Sequence, residues 1–200
     1  MLPIPTTANP LGYLKHTYTA SEIQPDMLNA DITKTTDSPS WGGLYLQYFE
    51  KFDQVQQQKG ILSVTKKLFI EKIGSDGKQE LLPLGKEKLK TGDKVITRLT
   101  LSLKQDMDFL YLKDFRAACF EPIGQLSGNQ WKFGTVYYEE SKDAVTNFFF
   151  NSLAKGTYVL EYPVWVNQAG TYQDGIATFQ SMYAPEYTAY SEAGKITVTK

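Results

Sequence analysis

The chain has 200 residues, 42% of them hydrophobic, and 21 Lys and Arg against 22 Asp and Glu give a net charge of −1. A core is within reach, global disorder is not expected, and no basic excess is available to neutralise phosphates, which argues against nucleic acid as a partner. One cysteine excludes an internal disulfide framework, and one histidine leaves zinc chemistry and most His-based catalysis short of groups. With 13 Tyr and 11 Phe the composition favours strands. No stretch approaches the roughly 20 apolar residues of a membrane helix. Met1-Leu2-Pro3-Ile4-Pro5 has neither the charged nor the apolar region of a secretory signal.

Taken along the chain, residues 12–19, 30–35 and 41–49 are the first expected strands. Gln56-Gln57-Gln58 before Lys59-Gly60 is a polar break that separates a segment 1–58 from a body 59–200. Three strands form a sheet with one uncovered apolar face. The first segment is therefore expected to pack on the body, on chain that is missing, or on itself in a homo-oligomer.

Residues 62–73 read as a strand closed by Gly74-Ser75-Asp76-Gly77, a hairpin-type turn. Thr91-Gly92-Asp93 then turns into a ten-residue alternation, Val95, Thr97, Leu99, Leu101 and Leu103 against Ile96, Arg98, Thr100, Ser102 and Lys104. That period of two marks a half-buried strand. Residues 108–114 and 130–138 are further strands. In residues 143–150, Asp143 as an N-cap allows a short helix, but three consecutive Phe and the following Lys155-Gly156 favour a buried strand over 146–150. In residues 158–166, Tyr158, Leu160, Tyr162, Val164 and Val166 share a face, and Pro163 on the other face predicts an edge or a bulge. Residues 176–183 and 195–199 complete the set. Strands at this spacing with little helix predict an all-β antiparallel sandwich.

Few residues suggest chemistry. Cys119 lies in the apolar run Ala117-Ala118-Cys119-Phe120 and reads as a buried structural thiol. An internal thioester needs Cys and Gln three positions apart; position 122 is Pro and the nearest Gln is Gln125, so that chemistry is absent. His16 has no nucleophile motif pointing to it. Asp106, Asp108, Asp114 and Glu121 form the densest acid cluster, and without a calcium-loop pattern they read as solvated turn acids. Glu139 and Glu140 are adjacent, so in a strand they face opposite ways and cannot flank one glycosidic bond. Trp41, Trp131 and Trp165 with Tyr137, Tyr138, Tyr183, Tyr187 and Tyr190 offer a sugar-stacking platform if exposed, and core if not.

Several stretches resemble the C-terminal end of bacterial alpha-2-macroglobulin-like proteins, in the form found in Bacteroides-type bacteria. They are Ser40-Trp41-Gly42-Gly43-Leu44-Tyr45-Leu46-Gln47-Tyr48-Phe49-Glu50, Lys90-Thr91-Gly92-Asp93-Lys94-Val95, Tyr111-Leu112-Lys113-Asp114-Phe115-Arg116-Ala117 and Phe120-Glu121-Pro122. To these belong the stretch from Leu153 to Pro163 and Gln180-Ser181-Met182-Tyr183-Ala184-Pro185-Glu186-Tyr187. The resemblance spans roughly residues 11 to 200 and implies a terminal macroglobulin-like sandwich, immunoglobulin-like in style, over 59–200. It implies that 1–58 are the returning strands of a CUB-like domain, a small partial sheet. The implied function is a non-catalytic structural and interaction module of an endopeptidase inhibitor that traps proteases, without cofactor or metal, in the periplasm or at the cell-envelope surface.

The implied partner is the remainder of the inhibitor chain, its thioester and macroglobulin domains, with target proteases engaged indirectly. Trp41, Tyr45 and Tyr48 in the first segment and Met182, Tyr183 and Tyr187 near the C-terminus are the expected interface anchors. The rival expectation is a carbohydrate-binding β-sandwich of a secreted polysaccharide-handling protein.

Overall fold

The computed structural model describes residues 13, 15–29, 31, 33, 37–58, 60–85, 88–124, 126–132 and 134–200. The chain divides into two units, Met1–Gln47 and Tyr48–Lys200. The division falls ahead of the polar break at 56–58, and residues before that break pair within the second unit. Gln58 bridges Tyr190, Gln57 Nε2 donates to Val64 O at 2.8 Å, and Ala193 N donates to Val55 O at 3.2 Å.

The first unit contains no strand among its described residues. Its regular structure is a 3-10 turn at Pro25–Leu28, and Thr19 caps a neighbouring turn by donating from N and Oγ1 to Glu22 Oε2, each at 2.7 Å. Residues 41–49, expected as a strand, form none, and the described part of 12–19 forms none either. Residues 30–35 lie mostly outside the described residues. A strand needs a neighbour to take its backbone hydrogen bonds, and among the described residues 41–49 have none. The uncovered sheet through which self-association was expected is thus not formed among the described residues.

The second unit carries fourteen strands among its described residues, in chain order. They are β1 Leu62–Ile73, β2 Gln79–Pro83, β3 Leu89–Lys90, β4 Lys94–Leu103, β5 Met107–Phe115, β6 Phe120–Pro122 and β7 Gly128–Lys132. The rest are β8 Thr135–Ser141, β9 Val145–Leu153, β10 Gly156–Val166, β11 Gly170–Asp174, β12 Ala177–Ser181, β13 Thr188–Tyr190 and β14 Gly194–Thr199. One sheet has the order β2-β1-β4-β10-β6 and a second the order β13-β12-β5-β9-β8-β7. A small third sheet, β11-β14-β3, includes the parallel pair β14–β3; every other pair of strands is antiparallel.

The core lies between the two large sheets. Leu62, Val64, Leu68 and Ile70 of β1, with Leu99 and Leu101 of β4 and Leu160 and Val164 of β10, meet Leu110, Leu112, Phe148, Phe150 and Phe179 from the other sheet. Each such fully buried side chain contributes about 1.5–3 kcal/mol by leaving water. Phe148 and Tyr162 meet across the sandwich with ring centroids 6.1 Å apart. The hairpin after β1 closes as its residues dictate: Gly77 takes φ 79°, and Gly74 N donates to Lys78 O at 2.8 Å.

Two expectations need correction. Residues 130–138 form the hairpin β7–β8 rather than one strand, turning at Gly134 with φ 75°. Also, β10 is not an edge strand, because it lies between β4 and β6. Pro163 is tolerated because Pro163 O accepts from Ile123 N, on the side of the three-residue β6 rather than of β4. Its missing N–H falls where that short ladder ends.

Candidate functional site

The outer face of the six-stranded sheet carries a row of aromatic side chains. Because side chains alternate, the inward positions of β9 are Phe148 and Phe150 while Phe149 faces out. Register then builds a row across the sheet, with Phe149 opposite Tyr138 on one side and Tyr111 on the other. Phe149 stands 6.3 Å from each of those rings.

Two further exposed apolar groups lie on the same sheet, one at β7–β8 and one at β5–β12. Trp131 on β7 pairs with Val136 on β8, and both are exposed, Trp131 at 82%. On β5, Phe109 has φ 52°, a left-handed backbone unusual for a bulky residue. Met182 N donates to Phe109 O at 2.8 Å, and Tyr183 meets the Phe109 ring edge-on at 5.2 Å. These exposed apolar groups make the outer face of this sheet the candidate interaction surface.

Of the six expected anchors, Met182 and Tyr183 belong to this face and are exposed, Tyr183 at 79%. Tyr187 is half-buried against the core. Trp41, Tyr45 and Tyr48 are all exposed, Trp41 and Tyr45 at 87% each. Trp131, Phe109 and Tyr111 escaped the sequence reading as anchors, although their alternation with buried Leu110 and Leu112 was the signal for the β5 pair.

The sugar platform does not assemble as composed. Tyr137 is core, and Trp165 lies on β10 of the five-stranded sheet whereas Trp131 lies on the other. His16 is exposed and makes an edge contact to Tyr18 at 4.3 Å.

The acid cluster is dispersed. Asp106 caps Lys155 N at 2.7 Å, and Asp108 and Glu121 are exposed. Asp114 is not a solvated turn acid: it is fully buried, in phase with Leu110 and Leu112, and faces Lys66. Among the described residues no three His, Cys, Asp or Glu are placed to hold a metal. Lys66 itself occupies an inward position of β1 between Val64 and Leu68, a signal present in the sequence and missed there.

Around Lys66 three sheets meet. Lys66 Nζ lies 3.0 Å from Asp114 Oδ1 on β5 and 2.9 Å from Asp174 Oδ1 on β11. It donates to Phe115 O at 2.7 Å and Gly175 O at 2.8 Å. Tyr162 on β10 donates to Asp114 Oδ2. Gly175 is required here, since a Cβ would stand 2.2 Å from Phe115 O. Burial works against the Lys66 charge, but the charges of Asp114 and Asp174 outweigh it and hold its pKa above the ordinary value. Burial raises that of Asp174, with Lys66 offsetting part of the rise. Burial and the charge of Asp114 push Tyr162 well up. Nearby, Arg116 donates to Thr146 and to the carbonyls of Lys142 and Asp143.

A cleft of about 270 Å3 opens beside β6–β8 and is lined by Gln130, Lys132, Glu139, Ser141, Glu161 and Tyr162, among others. Glu139 faces this cleft, with its pKa raised by burial against the pull of Lys132. Glu140 accepts from Asn147 Nδ2 at 2.8 Å and pairs with Lys142 at 3.1 Å, and these contacts lower its pKa. The two carboxylates therefore have different environments, as their adjacency in a strand requires. Cys119 is fully buried, and burial raises its thiol to about 11.

Comparison with known proteins agrees with this architecture. Residues 62–186 match the family described as the Bacterial Alpha-2-macroglobulin MG10 domain. No curated protein sequence matches. Among solved structures, Salmonella alpha-2-macroglobulin reacted with methylamine aligns at 20% identity and TM-score 0.56, over 73% of this chain and 10% of that one. Trypsin-activated alpha-2-macroglobulin from Escherichia coli aligns at 17% and 0.55, over 73% and 11%. Native Escherichia coli alpha-2-macroglobulin, from domain MG7 to the C-terminus, aligns at 18% and 0.53, over 72% and 24%. The chain thus spans about a tenth of the first two proteins and about a quarter of the third. The family match covers more than half of the sequence and the matched structures share its sandwich: this chain belongs to the bacterial alpha-2-macroglobulin MG10 domain family.

Proposed function

We propose that the chain is the C-terminal structural and interaction module of a bacterial alpha-2-macroglobulin-like protease trap, working at the cell envelope or in the periplasm. Its occupant surface is the outer face of the six-stranded sheet, covered by neighbouring domains of a longer inhibitor chain. The exposure of Phe109, Trp131, Val136, Met182 and Tyr183 carries this reading. The matched solved proteins support the choice of occupant, because in them the corresponding region is a small part of a much larger chain. Target proteases are engaged through that larger chain, and the Bacteroides-type resemblance stands as part of the proposal.

Residues 41–49 extend it. Trp41, Leu44, Tyr45, Leu46, Tyr48 and Phe49 are all exposed without a ladder. On this reading they become a strand only when a neighbouring domain supplies the sheet, in keeping with 1–58 as returning strands of a CUB-like domain. A pull-down from a bacterial envelope fraction, with this chain as bait and Trp41→Asp and Tyr183→Asp as controls, tests the reading. Recovery of a thioester-bearing macroglobulin protein that is lost with either variant is the expected result. Recovery unchanged in both variants, or recovery of glycan instead, overturns it.

A further inference from the structure

The Lys66 cluster holds more groups than an ion pair needs. An ammonium has three N–H donors, yet Nζ faces four acceptors between 2.7 and 3.0 Å. Its hydrogen bonds go to the carbonyls of Phe115 and Gly175, while Asp114 Oδ1 and Asp174 Oδ1 approach outside hydrogen-bonding angles. With two of its hydrogens given to the carbonyls, the third position on Nζ is the one left for the carboxylates. The side chain of Lys66 is 3% exposed, that of Asp114 0% and that of Asp174 16%. Asp114 is also polarised from its far side by the Tyr162 hydroxyl on Oδ2.

We propose that Lys66 and Asp114 condense into an amide that covalently ties β1 to β5 across the sandwich, with Asp174 as the proton carrier and Tyr162 as the oxyanion donor. Rotation of Nζ aims its third hydrogen at Asp174 Oδ1, 2.9 Å away. That proton passes to Asp174 in a minor state, since the two carboxylates otherwise hold Lys66 charged, and the freed lone pair then forms a bond to Cγ of Asp114. Tyr162 holds Oδ2 as negative charge develops there. Oδ1 takes the proton back from Asp174 and a second from the nitrogen, and departs as water when the Cγ–Oδ1 bond breaks. Ammonium and carboxylate thus become amide and water, Asp174 ends as it began, and no oxidant or cofactor enters. This is a single self-modification, not turnover.

Three features drive it. Fixed approach replaces a bimolecular encounter, and effective molarities of about 10⁵ M or more are reached in well-oriented pairs. Burial of the two reacting side chains, 3% and 0% exposed, shields the product from hydrolysis. The product also removes two charges whose burial is costly. Asp174, with its pKa raised by burial, is suited to hold a proton in transit.

The test is the intact mass of the folded 200-residue chain, followed by peptide mapping. The expected result is a chain lighter by one water, with the peptides containing Lys66 and Asp114 joined. Lys66→Arg, which keeps the charge but not the nucleophile, and Asp174→Asn, which keeps the volume but not the proton carrier, are both expected at full mass. Full mass for the folded parent chain after prolonged incubation overturns the proposal. So does a lost water that maps elsewhere, such as ring closure at Asp76-Gly77.

Discussion

Cys119 and Tyr137 show how burial rather than sequence neighbours sets a side chain's chemistry. Burial raises the Cys119 thiol from 9.0 to about 11, and burial with the charge of Glu139 raises Tyr137 from 10.0 to about 12. The folded state holds both protons more tightly than the unfolded chain, which ionises first. The stabilisation is therefore complete below the unfolded values and is lost as pH rises. Urea midpoints are expected to fall between about pH 9 and 11 through Cys119 and on towards 12 through Tyr137. Cys119→Ala is expected to flatten the first part of that decline. A thiol reagent at mildly alkaline pH is expected to label Cys119 only after unfolding. The apolar setting of Cys119 was legible in Ala117-Ala118-Cys119-Phe120. The burial of Asp114 was not, because what makes it tolerable is Lys66, on a distant strand of the opposite sheet.

Among the strands, β9 tests the register most directly. Phe148 and Phe150 point into the sandwich and Phe149 out of it, so three chemically identical neighbours have different surroundings. Phe148→Ala is expected to cost about 3–5 kcal/mol through the cavity left between Tyr137 and Tyr162. Phe149→Ala is expected to cost about 1 kcal/mol, since it removes half-exposed cross-strand contacts. Chemical denaturation of the two variants checks the contrast, and equal losses would mean a register shifted by one. Long alternating strands such as β1 and β4 were readable because period two is a local property. The short β3, β6, β11 and β13 have too few residues to show a period, and they exist because a longer neighbour offers a free edge.

In the second unit, the outer face of the six-stranded sheet exposes Phe109, Trp131 and Tyr183. The described chain is expected to bind an apolar dye and to self-associate at high concentration, both reduced in a Trp131→Glu, Tyr183→Glu double variant. Its thermal midpoint is expected to stay unchanged, because exposed side chains away from the core contribute within about 0.5 kcal/mol. Sedimentation, dye fluorescence and a melting curve read these outcomes together. A double variant that melts much earlier would place the two residues in the core instead.

Local patterning by itself determined the all-β class, the long strands, the hairpin at Gly77 and the inert setting of Cys119, because each depends on residues a few positions apart. Only the tertiary structure decided that Trp131, Phe109 and Tyr183 share one face and that residues 41–49 lie without a ladder. It alone brought Lys66, Asp114, Asp174 and Tyr162 to one point. Those arrangements depend on how separate strands align within a sheet and on how one sheet lies over another. No stretch of sequence carries that information alone.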